Sequence, residues 1–181
     1  YEYDAANKLK TTKYAWQTER ERTECFTYDN AGNMTSMTLR SGETISFEYD
    51  LLNRQTKRIY PGEPEKTVEY AYDDLGRMTS VTDENGTISF AHDDANRLLT
   101  ITYPGDKVVR HEYDLMGNRT KLRYTDDSYV TFTWDDLDRL DQVKDQQGNV
   151  LADYTYDALR RTRLDYLNQT YVSYSYNDAN W

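Results

Sequence analysis

The sequence predicts an all-β fold: tandem β-hairpins forming a long curved antiparallel sheet. Three observations predict it. An aromatic residue followed by an acid or amide recurs nine times, at intervals of 20 to 25 residues. Aliphatic and aromatic residues precede each pair at a spacing of two. All eight glycines fall in one of two periodic turn sets. Self-similarity at a short period marks a repeat architecture, and a spacing of two marks a strand with one apolar face.

The anchor pairs are Tyr3-Asp4, Tyr28-Asp29, Tyr49-Asp50, Tyr72-Asp73, His92-Asp93, Tyr113-Asp114, Trp134-Asp135, Tyr156-Asp157 and Tyr176-Asn177. Two residues before them stand Tyr1, Phe26, Phe47, Tyr70, Phe90, His111, Phe132, Tyr154 and Tyr174, so every Phe of the chain takes this one position. Four residues before come Ile45, Val68, Ile88, Val109, Val130 and Val172, with Glu24 and Ala152 as weaker members. Residues such as Thr27, Glu48, Ala71 and Thr133 lie between. This alternation, rich in β-branched and aromatic residues, is that of a half-buried strand.

The Asp of each pair opens a turn, because its carboxylate can accept backbone N–H groups. Three residues later stand Asn7, Gly32, Asn53, Gly76, Asn96, Gly117, Asp138 and Asn180, residue types that tolerate positive φ. A type I turn closing on a left-handed residue fits. Arg160 fits poorly, so the turn at residues 157–161 is expected to be strained or of another type.

The return strand carries Met37, Val81, Ile101, Leu122 or Val143 nine residues past the anchor, and Tyr14, Tyr60, Tyr103 or Tyr124 eleven past. The apolar residue six past is out of phase with these, which predicts a bulge or a shared face. A second turn at Ser41-Gly42, Pro61-Gly62, Asn85-Gly86, Pro104-Gly105, Asp126-Asp127, Gly148-Asn149 and Leu167-Asn168 closes the unit. The unit is therefore strand, turn, strand, turn. The first is longer and carries the charged run Glu19-Arg20-Glu21-Arg22.

Residues 1–181 read as a single array of about eight units without a linker, and as a piece of a longer protein, since the chain begins inside a strand without Met. A hydrophobic fraction of 37% with 30% charge suits a sheet wetted on one face. Eighteen Tyr, most at fixed positions, argue against disorder. No 3.6-residue apolar period, targeting segment or 18-residue apolar run occurs, so neither helices nor membrane insertion is expected. The net charge of −10 disfavours nucleic acid. Aromatics interleaved with Lys and Arg can stack bases, but their strict β-register assigns them to packing.

The ladder Asp4, Asp29, Asp50, Asp73, Asp93, Asp114, Asp135 and Asp157 is the most conspicuous ionisable set. Calcium takes several oxygen ligands, but the repeat known for binding it needs paired glycines and a nine-residue period. Turn-capping is the reading for the ladder, and structural anchoring for Tyr3, Tyr28, Tyr49, Tyr72, His92, Tyr113, Trp134, Tyr156 and Tyr176. Arg54, Arg77, Arg97, Arg139 and Arg161 recur five residues past the anchor and are expected to pair with Asp residues of adjacent units, at ~0–1 kcal/mol each. His92 and His111 read as packing substitutes.

Two His and one Cys make no zinc site, and Cys25 has no nucleophile motif and no partner for an internal disulfide. No carboxylate pair is placed in a cleft. No catalytic residue, cofactor or metal is expected. Four Asn-X-Thr matches, at Asn33, Asn85, Asn118 and Asn168, arise from a turn Asn followed by a strand Thr. They matter only in a secreted eukaryotic protein.

The phrase Tyr72-Asp73-Asp74-Leu75-Gly76-Arg77-Met78-Thr79-Ser80-Val81-Thr82-Asp83-Glu84-Asn85-Gly86 closely resembles the YD repeat of the Rhs family, as does Tyr28-Asp29-Asn30-Ala31-Gly32-Asn33-Met34-Thr35. That family includes bacterial Rhs and wall-associated polymorphic toxins, the C component of insecticidal toxin complexes, and the teneurins. The resemblance implies long antiparallel strands spiralling into a hollow shell. In bacterial members the shell encloses a C-terminal toxin; in teneurins it belongs to an extracellular adhesion receptor. His92 and Trp134 replace the Tyr, Asn177 the Asp, and Asp138 and Arg160 the Gly. The family's post-repeat aspartyl autoprotease and toxin domain have no counterpart in this sequence.

The expected function is therefore a non-catalytic structural segment of such a shell, which encapsulates a toxin or effector cargo. About sixteen strands at ~4.8 Å span roughly 75 Å, and native twist obliges so long a sheet to coil or close. The expected partners are adjacent repeats of the parent, the enclosed cargo and, at cut strand edges, other copies. The parent is expected to be a secreted or cell-surface virulence protein. The alternative is an extracellular adhesion or glycan-binding module of the aromatic-cage kind. Such repeats are rich in Gly-Trp pairs, of which this chain has none.

Overall fold

The computed structural model describes residues 1–14, 22–62, 66–158 and 160–177. Asn180 and the run Glu19-Arg20-Glu21 lie outside them. Among the described residues every regular element is a β-strand, and there are seventeen. The chain divides into two compact units, Tyr1–Ser89 and Phe90–Trp181.

The first unit holds β1 (Glu2–Tyr3), β2 (Leu9–Tyr14), β3 (Arg22–Tyr28), β4 (Met34–Thr38), β5 (Thr44–Tyr49), β6 (Gln55–Tyr60), β7 (Lys66–Tyr72) and β8 (Met78–Asp83). The strand β9 (Gly86–His92) runs across the division. From β1 to β9 each strand pairs antiparallel with the next. The second unit continues with β10 (Leu98–Tyr103), β11 (Lys107–Tyr113), β12 (Arg119–Arg123), β13 (Tyr129–Trp134), β14 (Leu140–Asp145), β15 (Val150–Asp157), β16 (Arg160–Tyr166) and β17 (Tyr171–Ser173). These too pair in sequence order, all antiparallel. Each hairpin is local, so the meander needs no crossover.

Register puts the rings on one face. Phe26 lies opposite Met37, Tyr70 opposite Val81, His111 opposite Leu122 and Phe132 opposite Val143, so the residue nine past the anchor meets the ring two before it. Exposure alternates accordingly: in β9 Ile88, Phe90 and His92 are half-buried while Thr87, Ser89 and Ala91 are exposed. Phe47 is the variant case. It faces Arg58, whose guanidinium lies 5.5 Å above its ring.

The phase change past the anchor is a bulge. Thr27 faces Ser36 but Tyr28 faces Met34, which leaves Thr35 as the extra residue. The same slip follows Glu48, Ala71, Glu112 and Thr133. One extra residue per hairpin returns the residue six past the anchor to the ring face.

The ring face carries no thick interior. Among the described residues Leu164 is the one fully buried apolar side chain, 6% exposed, and Thr11 and Thr12 are the buried polar ones.

The turn after Tyr156 is of another type from the rest. Asp157 pairs directly with Arg160 across the hairpin, and positive φ (41°) falls on Ala158. Where its siblings place Gly, Asn or Asp in the left-handed region, this repeat lacks that residue, and Tyr156 meets its partner one residue sooner. Tyr156 therefore faces Arg161, five residues on, and Tyr154 faces Leu164.

Candidate functional site: the joint between repeats

Each joint starts at the Asp after the anchor. At Asp50 the carboxylate accepts the N–H groups of Leu52 and Arg54, both at 2.9 Å, through Oδ1, and Arg54 Nε at 2.6 Å through Oδ2. Asp73 accepts Leu75 and Arg77 N–H at 3.0 and 2.9 Å, with Arg77 Nε at 2.6 Å. Asp93 holds Arg97 and Asp135 holds Arg139 in the same way. Asp4 takes the N–H groups of Ala6 and Lys8, and Asp114 those of Met116 and Asn118. Asp29 receives both the backbone and the side-chain amide of Asn33, at 2.8 and 2.9 Å. At Asp157 the donor is the Arg160 guanidinium, at 3.3 Å to each oxygen.

The turns close on Asn53 (φ 60°) or Gly76 (φ 80°), whose N–H returns to the Asp carbonyl at 3.0 Å in both. An L side chain other than Asn or Asp is strained there. Donors aimed at the carboxylates favour their charged forms. The Arg54 N–H holds Asp50 below its ordinary value, the Arg97 N–H does so for Asp93, the Asn33 amide for Asp29 and the Arg139 guanidinium for Asp135. Asp50→Ala is expected to lower the urea midpoint, whereas Asp74→Ala, at an exposed neighbouring turn position, leaves it in place. Equal midpoints for the two variants would exclude a role for the Asp50 carboxylate in holding its turn.

Their expected partners are Asp residues of adjacent units, but four of the recurrent arginines take the Asp of their own turn as ion-pair partner. Arg54, Arg77, Arg97 and Arg139 form ion pairs of 2.6–2.7 Å with the Asp of their own turn, four residues back. Local geometry decides this, because the turn brings residue five past the anchor back to its own Asp, whose N–H donates to that residue's carbonyl at 2.9 Å in the turns of Asp50, Asp73, Asp93 and Asp135. The free arm of the guanidinium reaches onward instead. Arg54 Nη1 donates to the Asp73 carbonyl at 3.1 Å, Arg97 Nη1 to the Asp114 carbonyl at 3.0 Å, and Arg139 Nη1 to the Ala158 carbonyl. The same guanidinium groups lie 4.4–4.9 Å above the rings of Tyr72, Tyr113 and Tyr156, a favourable cation–π placement. Arg161 stacks instead between the rings of Tyr154 and Tyr174, at 5.8 and 4.4 Å. Where Asn takes this position, Asn33 reaches Asn53 at 2.7 Å and Asn118 reaches Asp138 at 2.8 Å.

The anchor ring completes the joint in the opposite direction. Tyr28 OH donates to the Leu9 carbonyl, Tyr72 OH to Gln55, Tyr113 OH to Leu98, Tyr156 OH to Leu140 and Tyr176 OH to Arg161, all at 2.7–2.9 Å. Trp134 Nε1 donates to the Arg119 carbonyl at 3.0 Å. Most of these acceptors lie six residues past the preceding anchor, at the bulge that loosens the ladder. Among the described residues Tyr49 makes no such bond, His92 has no hydroxyl, and Tyr3 is 58% exposed. Tyr72→Phe is expected to cost about 0.5–1.5 kcal/mol, the worth of one hydrogen bond, with the ring packing kept. A loss as large as that of Tyr72→Ala would assign the whole role to the hydroxyl, and no loss at all would assign it to the ring.

This set of contacts was missed in the sequence, although a signal for it was present. Every anchor but one is Tyr or Trp and the exception is His, whereas Phe occurs only two residues before. A position that accepts any ring with an N–H or O–H, and never Phe, is a donor position. The histidines divide: His92 sits at an anchor, and His111 stacks on Tyr113 with ring centroids 6.4 Å apart.

Chemically the arrangement is a clasp. Its carboxylates accept hydrogen bonds from the turn backbone and from Arg or Asn side chains. Among the described residues no group of three or more His, Cys, Asp or Glu is suited to hold a metal, and no helix is long and apolar enough to cross a membrane.

The RHS Repeat family model matches residues 28–65, 63–88 and 92–129. No curated protein is matched by the sequence. Among solved structures, the crystal structure of TcdB2-TccC3-Cdc42 is similar with a TM-score of 0.71 and 15% identity, over 94% of this chain and 11% of that one. The crystal structure of TcdB2-TccC3 is similar with a TM-score of 0.70 and 15% identity, over 98% and 11%. A structure of the Photorhabdus luminescens Tc holotoxin pore gives 0.65 and 18%, over 86% and 9%. The chain thus spans about a tenth of the solved chains it matches, and at these identities the likeness shows the fold. With more than half of its residues matched by the repeat model, the chain belongs to the RHS repeat family.

Proposed function

We propose that this chain is a non-catalytic wall segment of an RHS-repeat shell, one array that encloses a C-terminal toxin or effector polypeptide of a secreted or cell-surface parent. The observation that carries this reading is the two-way joint. Three arginines and two asparagines reach forward and six anchor rings reach back, so polar groups at the seam hold neighbouring repeats together. That is the construction of a continuous wall, not of a cleft. Membership in the repeat family and likeness to toxin-complex structures support the same reading. The face opposite the rings supports it too. In β3 to β9 it is mainly Ser and Thr, with contacts such as Thr27–Ser36, Thr38–Thr44 and Thr82–Thr87 at 2.6–3.0 Å. A neutral hydroxyl surface of this kind offers an unfolded chain contact without strong attachment.

The test is protease protection in the parent protein. The polypeptide following the array is expected to resist added protease until denaturant opens the shell, and joint variants such as Tyr72→Phe with Trp134→Phe advance its cleavage to lower urea. Cleavage in native buffer at the rate of a free polypeptide would end the enclosure reading. Specific retention on a glycan array would move the chain to the adhesion class. The isolated chain, in which β1 and β17 each pair with one strand among the described residues, is expected to associate through strand edges.

A further inference from the structure

We propose that the strand face opposite the rings in the second unit carries a docking surface for an acidic polypeptide segment, centred on Arg110, Lys121, Arg123 and Lys144. The ladder fixes the layout. In one row Arg110 of β11 lies opposite Arg123 of β12, which lies opposite Tyr129 of β13. In the next row Glu112 lies opposite Lys121, which is followed by Thr131 and then Lys144 of β14. Four cations therefore share two adjacent rows of four consecutive strands, in a chain whose net charge is −10.

The patch is poorly neutralised. Like charges directly opposite in a ladder repel, yet Arg110 and Arg123 are so placed. Lys121 meets Glu112 only at 4.0 Å and Arg123 meets Asp127 at 3.9 Å. Asp153, on the next strand, accepts from Gln142 at 3.2 Å. Among the described residues neither Arg110 nor Lys144 has an ion-pair partner. Lys121 and Arg123 are steadied over the Tyr129 ring, at 4.5 and 5.4 Å, and keep 25% and 30% of their side-chain surface open. The same face of the first unit is balanced: Lys57 pairs with Glu69 at 3.2 Å and faces Glu48 on its other side.

Charge complementarity selects the partner. Cations spread over three strand spacings, ~14 Å, are too far apart to converge on one phosphate. A polynucleotide carries a charge on every residue and so meets the repulsion of the acidic chain beyond the four cations, whereas a peptide can confine its carboxylates to the patch. An extended segment with carboxylates on alternate residues, ~7 Å apart, matches the spacing of the two rows. The placement rests on the wall reading in one respect: the source of the segment is the enclosed polypeptide.

The test is fluorescence anisotropy on the chain with a labelled Asp/Glu-rich peptide, beside a Lys-rich peptide and a single-stranded oligonucleotide of equal length. Saturable binding of the acidic peptide alone, weakened roughly tenfold or more by added salt as exposed charges are screened, is expected. Arg110→Gln with Lys144→Gln, which leaves the Tyr129 contacts intact, reduces it. Adding Lys121→Gln and Arg123→Gln abolishes it, while Lys57→Gln has no effect. No saturable binding, equal binding by the double variant, or preference for the oligonucleotide overturns the proposal. Absence of peptide binding beside intact protease protection in the parent removes the docking surface and leaves the wall. Peptide binding without protection supports the surface and removes the wall.

Discussion

Leu164→Ala is expected to be among the most damaging single substitutions in the second unit, costing about 2–3 kcal/mol in urea unfolding. Leu164 lies on β16 between Tyr154 of β15 and Val172 of β17, 6% exposed. Removing its branched end leaves a gap that Tyr154 and Val172 cannot close. Phe132→Ala is expected to cost about 2 kcal/mol, less than the roughly 3–5 kcal/mol of a fully buried Phe. Its ring is half-buried, set opposite Val143 and beneath Arg119 at 4.5 Å. Glu48→Ala, at an exposed position on the other face, is expected to stay within about 0.5 kcal/mol. Because the chain forms two compact units, unfolding is best followed by two probes, which need not coincide. Equal losses for Phe132→Ala and Glu48→Ala would mean that the ring face is assigned to the wrong side of the sheet.

The sensitivity of Leu164 also shows where sequence reading stopped. Counting nine residues past the anchor finds the core residue in the repeats of Tyr28, Tyr72, Tyr113 and Trp134, because the turn length is constant and the bulge adds the same single residue each time. In the repeat of Tyr156 the missing turn residue moves every later position by one, so the count falls on Asp165 and passes over Leu164. The misfit of Arg160 was visible; its consequence for register was not, since a two-residue slip and a one-residue slip look alike without a partner strand. The arginines were legible as a periodic set but not in their pairing. Their distance to two carboxylates depends on how the turn closes, a feature of backbone geometry rather than of pattern. The donor requirement at the anchor was written in the residue types and needed only the question of why Phe is absent there. The cationic patch could not be found from the sequence, because Arg110 and Arg123, or Lys121 and Lys144, become neighbours only through pairing.

Mild acid is expected to weaken the β11–β12 hairpin, and His111→Phe to remove that weakness. His111 occupies a ring position held elsewhere by Phe or Tyr, and both its ring nitrogens are inaccessible and without a hydrogen-bond partner among the described residues. Burial pushes its pKa below the ordinary value of 6.5, and the positive charge of Arg119 adds to the effect. Leu122 faces it from β12 and Tyr113 stacks beside it on β11, so neither neighbour supplies a counter-charge. The sign follows from linkage. A base whose pKa is lowered on folding favours the folded state fully above its unfolded pKa, and that contribution is lost as pH falls through 6.5 toward the folded value. The ladder carboxylates act in a separate window: Asp50 and Asp93 are held below 3.8 and lose their contribution only in stronger acid. Between about pH 7 and 5, around the ordinary His range, the urea midpoint of the native chain is therefore expected to fall. That of His111→Phe should stay flat and lie higher by about 1 kcal/mol, since two unpartnered polar atoms are exchanged for an apolar ring. Parallel pH profiles for the two proteins would show that the imidazole finds a partner or water in solution, and that this ring position tolerates charge.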